Sequence, residues 1–213
     1  MADLTYRQAV GRGIAQEMAR DPRVYFIGED IAAAGGVFKT TEGLHERFGP
    51  DRVRDTPISE EAITGAVMGA AMNGLRPIAE IMFSDFFATC WDIVANQIAK
   101  ARYMTDGQIT LPLVIRSANG GGARFGAQHS QAMENWAMAV PGLKVVAPSN
   151  PRDVIGLVAA SVRADDPVIF LEQKSLYASK QDVPEGEIVD ELGKATLARE
   201  GSDVTVVALA AMV

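Results

Sequence analysis

Glu60 ends the run Asp55-Thr56-Pro57-Ile58-Ser59-Glu60 and opens a stretch of small and apolar residues that carries Gly65 and Gly69. The pattern predicts a helix over 60–73 with Glu60 in its first turn, where the helix dipole favours a negative charge. A carboxyl group there either trades a proton with a bound group or simply serves the helix start. His129, in Ala127-Gln128-His129-Ser130-Gln131, follows a glycine-rich stretch over 119–126. A histidine after a loop at a strand end is placed for acid–base work, or it ties the loop down. Phe86, in Phe83-Ser84-Asp85-Phe86-Phe87, can stack on a flat ring or fill the core. Glu29 follows the apolar run 23–27 and Gly28, as a candidate polar group or a plain turn carboxylate. His45, in the amphipathic Leu44-His45-Glu46-Arg47, reads as a surface residue.

These side chains need a frame. Thr5 and Gln8 have capping-box spacing and predict a helix over 5–20. Strands are expected over 23–27, 76–81, 111–116, 143–147 and 167–171, each a short apolar run bounded by turn residues. Helices are expected over 41–48, 60–73, 84–103, 131–138 and 150–164, the last with Asn150 at its cap and Pro151 in its first turn. Strand and helix alternate with short connections. The class is therefore α/β, an open and mostly parallel sheet with helices on both faces. Gly65 and Gly69 lie on one face of their helix, where two glycines in five residues need a packing reason such as close approach of another helix.

After Glu172 the texture becomes polar. The expected layout is one domain over 1–180, a linker over 181–193, and the first strands of a second, incomplete domain over 194–213, with strands at 194–198 and 204–213. Acidic residues number 27 and basic ones 20, for a net charge of −7, which argues against non-specific nucleic-acid binding. Cys90 is the single cysteine, so an internal disulfide and a cysteine-based zinc site are both excluded. No run of about 18 apolar residues predicts a membrane span, and the opening residues lack a signal-peptide pattern. A cytoplasmic location is expected.

Glu60 followed by the two spaced glycines resembles the pyrimidine-side motif of thiamine-diphosphate enzymes. The strings "RDTPISE", "GLRPIAEIMFSDF", "AQHSQ", "PGLKVVAPSNP" and "DPVIFLE" narrow the resemblance. They look like the beta subunit of the decarboxylase component of pyruvate, branched-chain 2-oxo acid and acetoin dehydrogenases. The likeness runs over 5–172 and resumes over 194–213. It implies that Glu60 hydrogen-bonds N1′ of the cofactor's aminopyrimidine and that Phe86 stacks on that ring. It implies further that His129 assists reduction of the lipoyl group. Glu29 and Asp92 are the candidates for a proton relay between active sites, with Ile93 standing where relatives carry glutamine. A structural potassium ion is implied at Leu113, Ser161, Val162 and Asp166, although Ala164 replaces one carboxylate of that pattern.

The diphosphate-and-magnesium motif of such enzymes begins Gly-Asp-Gly, which this chain lacks. The resemblance therefore implies an alpha subunit that holds Mg²⁺ and the diphosphate, in a heterotetramer of two alpha and two beta chains. The implied reaction is decarboxylation of a 2-oxo acid, or cleavage of acetoin. The acyl group then passes to the lipoyl domain of a dihydrolipoyl acyltransferase core. Two alternatives stand beside it: a pyrimidine domain of the transketolase or deoxyxylulose-phosphate synthase type, and a non-catalytic assembly subunit of the same fold.

Overall fold

In the computed structural model, which describes residues 1–213, the main-sheet strand that comes first along the chain, Val24–Gly28, is an apolar run that alternates between two cores. In chain order the elements are β1 (Ala2–Thr5), α1 (Tyr6–Arg20), β2 (Val24–Gly28), α2 (Leu44–Phe48), β3 (Val53–Asp55), α3 (Glu60–Met72) and β4 (Arg76–Phe83). Then come α4 (Phe87–Asp92), α5 (Ala99–Met104), β5 (Val114–Asn119), α6 (Glu134–Met138), β6 (Lys144–Val146), α7 (Pro151–Arg163), β7 (Val168–Gln173) and β8 (Lys180–Val183). Six strands form one sheet in the order β3-β2-β4-β5-β7-β6, and every pairing in it is parallel.

Period-2 alternation explains the two-sided burial. Ile78, Val114, Val168 and Phe170 face the core under α1, α2 and α7, whereas Ala79, Ile115, Ile169 and Leu171 face the core under α3, α4, α5 and α6. α1 and α7 pack closely because Gly13 brings the backbone of one within reach of the other. A Cβ at Gly13 would stand 3.2 Å from the Ile155 Cα. The Thr5–Gln8 capping box forms as expected and starts α1. Asn150 accepts from the Asp153 amide and starts α7.

Four expectations need correction. The helix expected over 84–103 is not one regular rod: a 3₁₀ turn (Ser84–Phe86) leads into α4, and a π-helical stretch (Ile93–Ile98) separates α4 from α5. Helix propensity does not distinguish i→i+4 from i→i+5 bonding, and the widened turn lies against α3, where Gly65 meets the Ile93 side chain. A strand at Ala2–Thr5 was not expected, because it pairs only with the distant β8.

The segment expected as a linker is instead strapped to the body. β8 pairs antiparallel with β1, with Thr5 opposite Lys180 and Ala2 opposite Val183. Beyond it, Arg12 donates to the carbonyls of Pro184 and Gly186 at 2.6 and 3.0 Å, and Arg152 grips Asp190 at 2.5 Å. Only Val183 and Ile188 are buried here, so the run reads as polar. Finally, 194–198 and 204–213 form no strand; only a 3₁₀ turn (Ala210–Met212) occurs. Strands need backbone partners, and none lies beside these residues, which leave Val204, Val206 and Val207 exposed.

Candidate active site

The carboxyl ends of the parallel strands deliver the candidate residues to one edge of the sheet. Glu29 follows β2, Phe86 follows β4, and the His129 loop follows β5. Glu60 begins α3, the crossover from β3 to β4. The chain goes from β2 outward to β3 and returns to β4 on the other side of β2, so β2 and β4 flank a point where strand order reverses. Open α/β sheets bind ligands in the crevice at such a point.

Glu60 occupies the first turn of α3, and Ser59 before it makes no side-chain cap, so the helix start keeps unpaired donors. Thr64 turns its hydroxyl back to the Glu60 carbonyl at 2.9 Å. Glu29 lies nearby and is buried, with Oε1 lacking any hydrogen-bond partner. Burial raises its pKa from the ordinary glutamate value; the Glu60 charge adds to the rise, and the Ser59 amide opposes it. The loop that carries Glu29 is pinned by Asp55, which accepts from the Ala32 amide at 2.8 Å. Cys90 is buried on the same side, its thiol pushed up to about 12 by burial first and by the Glu60 charge second. That makes it an inert packing residue rather than a nucleophile.

Phe86 is half-buried and meets the His129 ring edge-on at 5.2 Å, while Phe83 meets the same ring at 4.6 Å. Phe38 and Phe125 extend the aromatic group around Phe83, with centroids 5.5 and 5.9 Å from it. The loop behind His129 is closed by Asp85, whose Oδ1 accepts from the Gln131 amide at 3.1 Å and its Nε2 at 2.9 Å. Asn119, at the end of β5, accepts from the Met133 amide and donates to Glu134. The structure thus brings Glu60 together with Glu29, and Phe86 with His129.

Asp92 stands apart. It is exposed on α4 and accepts from Asn96, one turn on, at 2.7 Å. The four residues expected to hold potassium already have protein partners. The Leu113 carbonyl accepts from the Val168 amide, and the Ser161 carbonyl from the Ala164 amide. Arg76 donates to the carbonyls of Val162 and Ala164 at 2.9 and 3.1 Å, and Asp166 pairs with Arg102 and Lys144. Of these oxygens the Arg76 guanidinium reaches the Val162 carbonyl, together with that of Ala164 beside it.

The sequence reading missed a buried ionic cluster just below the site. Arg116 bonds both oxygens of Glu172 at 2.6 Å, pairs with Glu80, and reaches Thr40. Tyr177 donates to Glu172 at 2.9 Å. The available signal was one charged residue interrupting each of three apolar runs, and the register sets Glu80 directly opposite Arg116. A surface cleft of about 830 Å³ lies elsewhere, between α1 and residues 39–47 and 186–187. Glu60 and His129 sit instead on an open edge, as one wall of a site would.

The family model for the transketolase pyrimidine-binding domain matches residues 2–180. The chain is 46% identical over 220 residues to the acetoin:2,6-dichlorophenolindophenol oxidoreductase subunit beta of Cupriavidus necator, covering 99% of this chain and 65% of that one. It is 45% identical over 208 residues to the 2-oxoisovalerate dehydrogenase subunit beta of Bacillus subtilis, covering 97% and 64%. Against the pyruvate dehydrogenase E1 component subunit beta of the same organism it is 44% identical over 214 residues, covering 100% and 66%. The chain therefore spans just under two thirds of the length of these relatives. A solved split-gene transketolase, an inactive beta4 tetramer, shares the fold at a TM-score of 0.75 and 24% identity, covering 98% of this chain and 63% of that one. With its parallel sheet, its reversal point between β2 and β4, and the match over 2–180, the chain belongs to the family of transketolase pyrimidine-binding domains.

Proposed function

We propose that this chain is the pyrimidine-side half of a thiamine-diphosphate enzyme, acting as the beta subunit of a 2-oxo acid dehydrogenase decarboxylase. The observation that carries the reading is the placement of Glu60, in the first turn of α3, and the buried Glu29, directly after β2, at the carboxyl edge of the sheet. Glu29 keeps an orphaned oxygen, and Phe86, half-buried against His129, follows another strand at the same carboxyl edge of the sheet. That donor set fits an aminopyrimidine, a flat ring bearing nitrogens that give and take protons. Bound thiamine diphosphate supplies the carbon nucleophile and electron sink for decarboxylation. Glu60 would exchange a proton with the ring nitrogen N1′, with the buried Glu29 as the candidate for a proton relay behind it. Phe86 would lie against the ring face. His129 would supply a proton to the lipoyl dithiolane.

The metal and diphosphate wall belongs to an alpha subunit in this reading, because the chain lacks Gly-Asp-Gly. The assembly is then two alpha and two beta chains, with a lipoyl domain and its acyltransferase core as the acceptor. Potassium is left out of the reading, given the partners already made by the Leu113, Ser161, Val162 and Asp166 groups. Asp92 takes no part in the relay proposed for Glu29. Residues 1–180 form the pyrimidine domain, and 194–213, with Val204, Val206 and Val207 bare, would enter a second domain. The location proposed is cytoplasmic; no helix is long and apolar enough to cross a membrane.

The relatives at 46, 45 and 44% identity make acetoin, branched-chain 2-oxo acids and pyruvate the three substrates to test. The test is reconstitution with an alpha chain and assay on all three with a dye acceptor. Glu60→Gln should lower thiamine-dependent turnover by at least ~100-fold while the assembly still forms. Near-normal turnover of that variant would remove Glu60 from the chemistry.

A further inference from the structure

The loop that carries His129 has little regular structure of its own. Gly120, Gly122, Arg124 and Gly126 all adopt positive φ, and residues 122–128 are exposed. The His129 amide has only a long 3.5 Å contact to the Gly126 carbonyl. The bonds from Asp85 begin two residues later, at Gln131. What fixes His129 itself comes from the opposite side. Lys174, the residue directly after β7, donates from Nζ to the His129 carbonyl at 2.9 Å. The same ammonium lies 5.1 Å from the centre of the Phe83 ring, the ring that meets the His129 imidazole at 4.6 Å.

We propose that Lys174 is a positioning residue for His129: one buried ammonium locks the histidine's backbone and the aromatic ring against which its imidazole rests. This rests on the functional reading given for His129. Lys174 is only 5% exposed, which is rare for a lysine and needs compensation. The compensation is the His129 carbonyl, the Phe83 face and the nearby Asp85 carboxylate, whose Oδ2 has no hydrogen-bond partner. Burial lowers the lysine's pKa from its usual value, and Asp85 acts against that fall. A surface lysine would gain nothing from this position. Here the charge is anchored to the end of a buried strand, so the histidine inherits the rigidity of the sheet.

The mechanism by which a misplaced group loses rate is loss of near-attack geometry, where an error of about 1 Å can cost on the order of 100-fold. In the assembled alpha–beta enzyme, Lys174→Met should therefore lower acyl transfer to a lipoyl domain by ~10–100-fold. Decarboxylation read with a dye acceptor should change by less than about threefold, since the hydrogen bond of the Lys174 ammonium goes to the His129 carbonyl and not to Glu60. Lys174→Arg, which keeps a charged donor, should recover most of the transfer.

A second readout separates this claim from the functional one. The chain has two histidines, His45 and His129, so labelling histidine Cε1 in this subunit alone gives two imidazole signals. His45→Gln assigns them. The Phe83 and Phe86 rings displace the His129 signal by ring currents in the wild type. Lys174→Met, or Lys174→Gln if the methionine variant does not assemble, should move that signal toward the position of a solvated histidine, and Lys174→Arg should leave it in place. An unmoved His129 signal in the neutral variant would overturn the proposal whatever the activity. A moved signal in a wild type that performs no lipoyl transfer would leave the positioning intact and defeat the functional reading instead.

Discussion

Glu80 offers a test in which sign and size both follow from the structure. Arg116 is one buried cation between two carboxylates, and its bonds are divided unequally: two of 2.6 Å go to Glu172, which Tyr177 also supports, and one contact remains for Glu80. Burial therefore dominates at Glu80 and lifts its pKa from the usual 4.5 to about 7, with Arg116 opposing and the Glu172 and Glu29 charges adding to the rise. At low pH the carboxyl is protonated in both folded and unfolded chains. Between pH ~4.5 and ~7 only the folded chain holds the proton, so stability falls as pH rises, by about 1.4 kcal/mol per pH unit. Over that window the loss is ~3 kcal/mol. Glu80→Gln has no proton to release and should lack this slope. The assay is urea unfolding of wild type and Glu80→Gln at intervals from pH 4.5 to 8, comparing their free energies at each pH. The wild-type advantage should shrink steadily by ~3 kcal/mol across the range. A constant difference, or one that grows with pH, would mean that the Arg116 pair keeps Glu80 ionised and that the division of bonds has been misjudged.

Two further outcomes follow from local geometry. Phe86→Ala should weaken cofactor binding at least roughly fivefold, from about 1 kcal/mol of lost stacking, while turnover at saturating cofactor changes less; isothermal titration of the assembled enzyme checks this. Gly142→Ala should destabilise the chain by about 2–3 kcal/mol or more, measured by the urea midpoint. The cause is a φ of +106° and a Cβ that would fall 2.0 Å from the Ala99 carbonyl oxygen, so the backbone itself must shift.

The sheet was legible because its strands are buried on both faces, and runs such as Val168–Gln173 therefore stand out as apolar blocks between turns. Glu60 was legible for a related reason, since a carboxylate before a long small-residue helix marks a helix start. Features joined over long sequence distances were not legible. β1 and β8 lie some 180 residues apart, and neither has the apolar alternation that would announce a strand. The bond from Lys174 to the His129 carbonyl spans 45 residues and uses a backbone group that carries no side-chain signature. Arg116, Glu80 and Glu172 did leave a trace, each as a lone charge in an apolar run, but only the strand order shows that the three face one another. The tail over 194–213 misled in the other direction. Alternating valines met the pattern of a strand without a neighbouring strand to pair with.

The most direct trial of the whole account is a structure of the assembled alpha–beta enzyme with thiamine diphosphate bound. The aminopyrimidine should sit against Phe86 with its N1′ within about 3 Å of a Glu60 carboxylate oxygen. A ring lodged at any other edge of this sheet, with Glu60 facing only water, would contradict it.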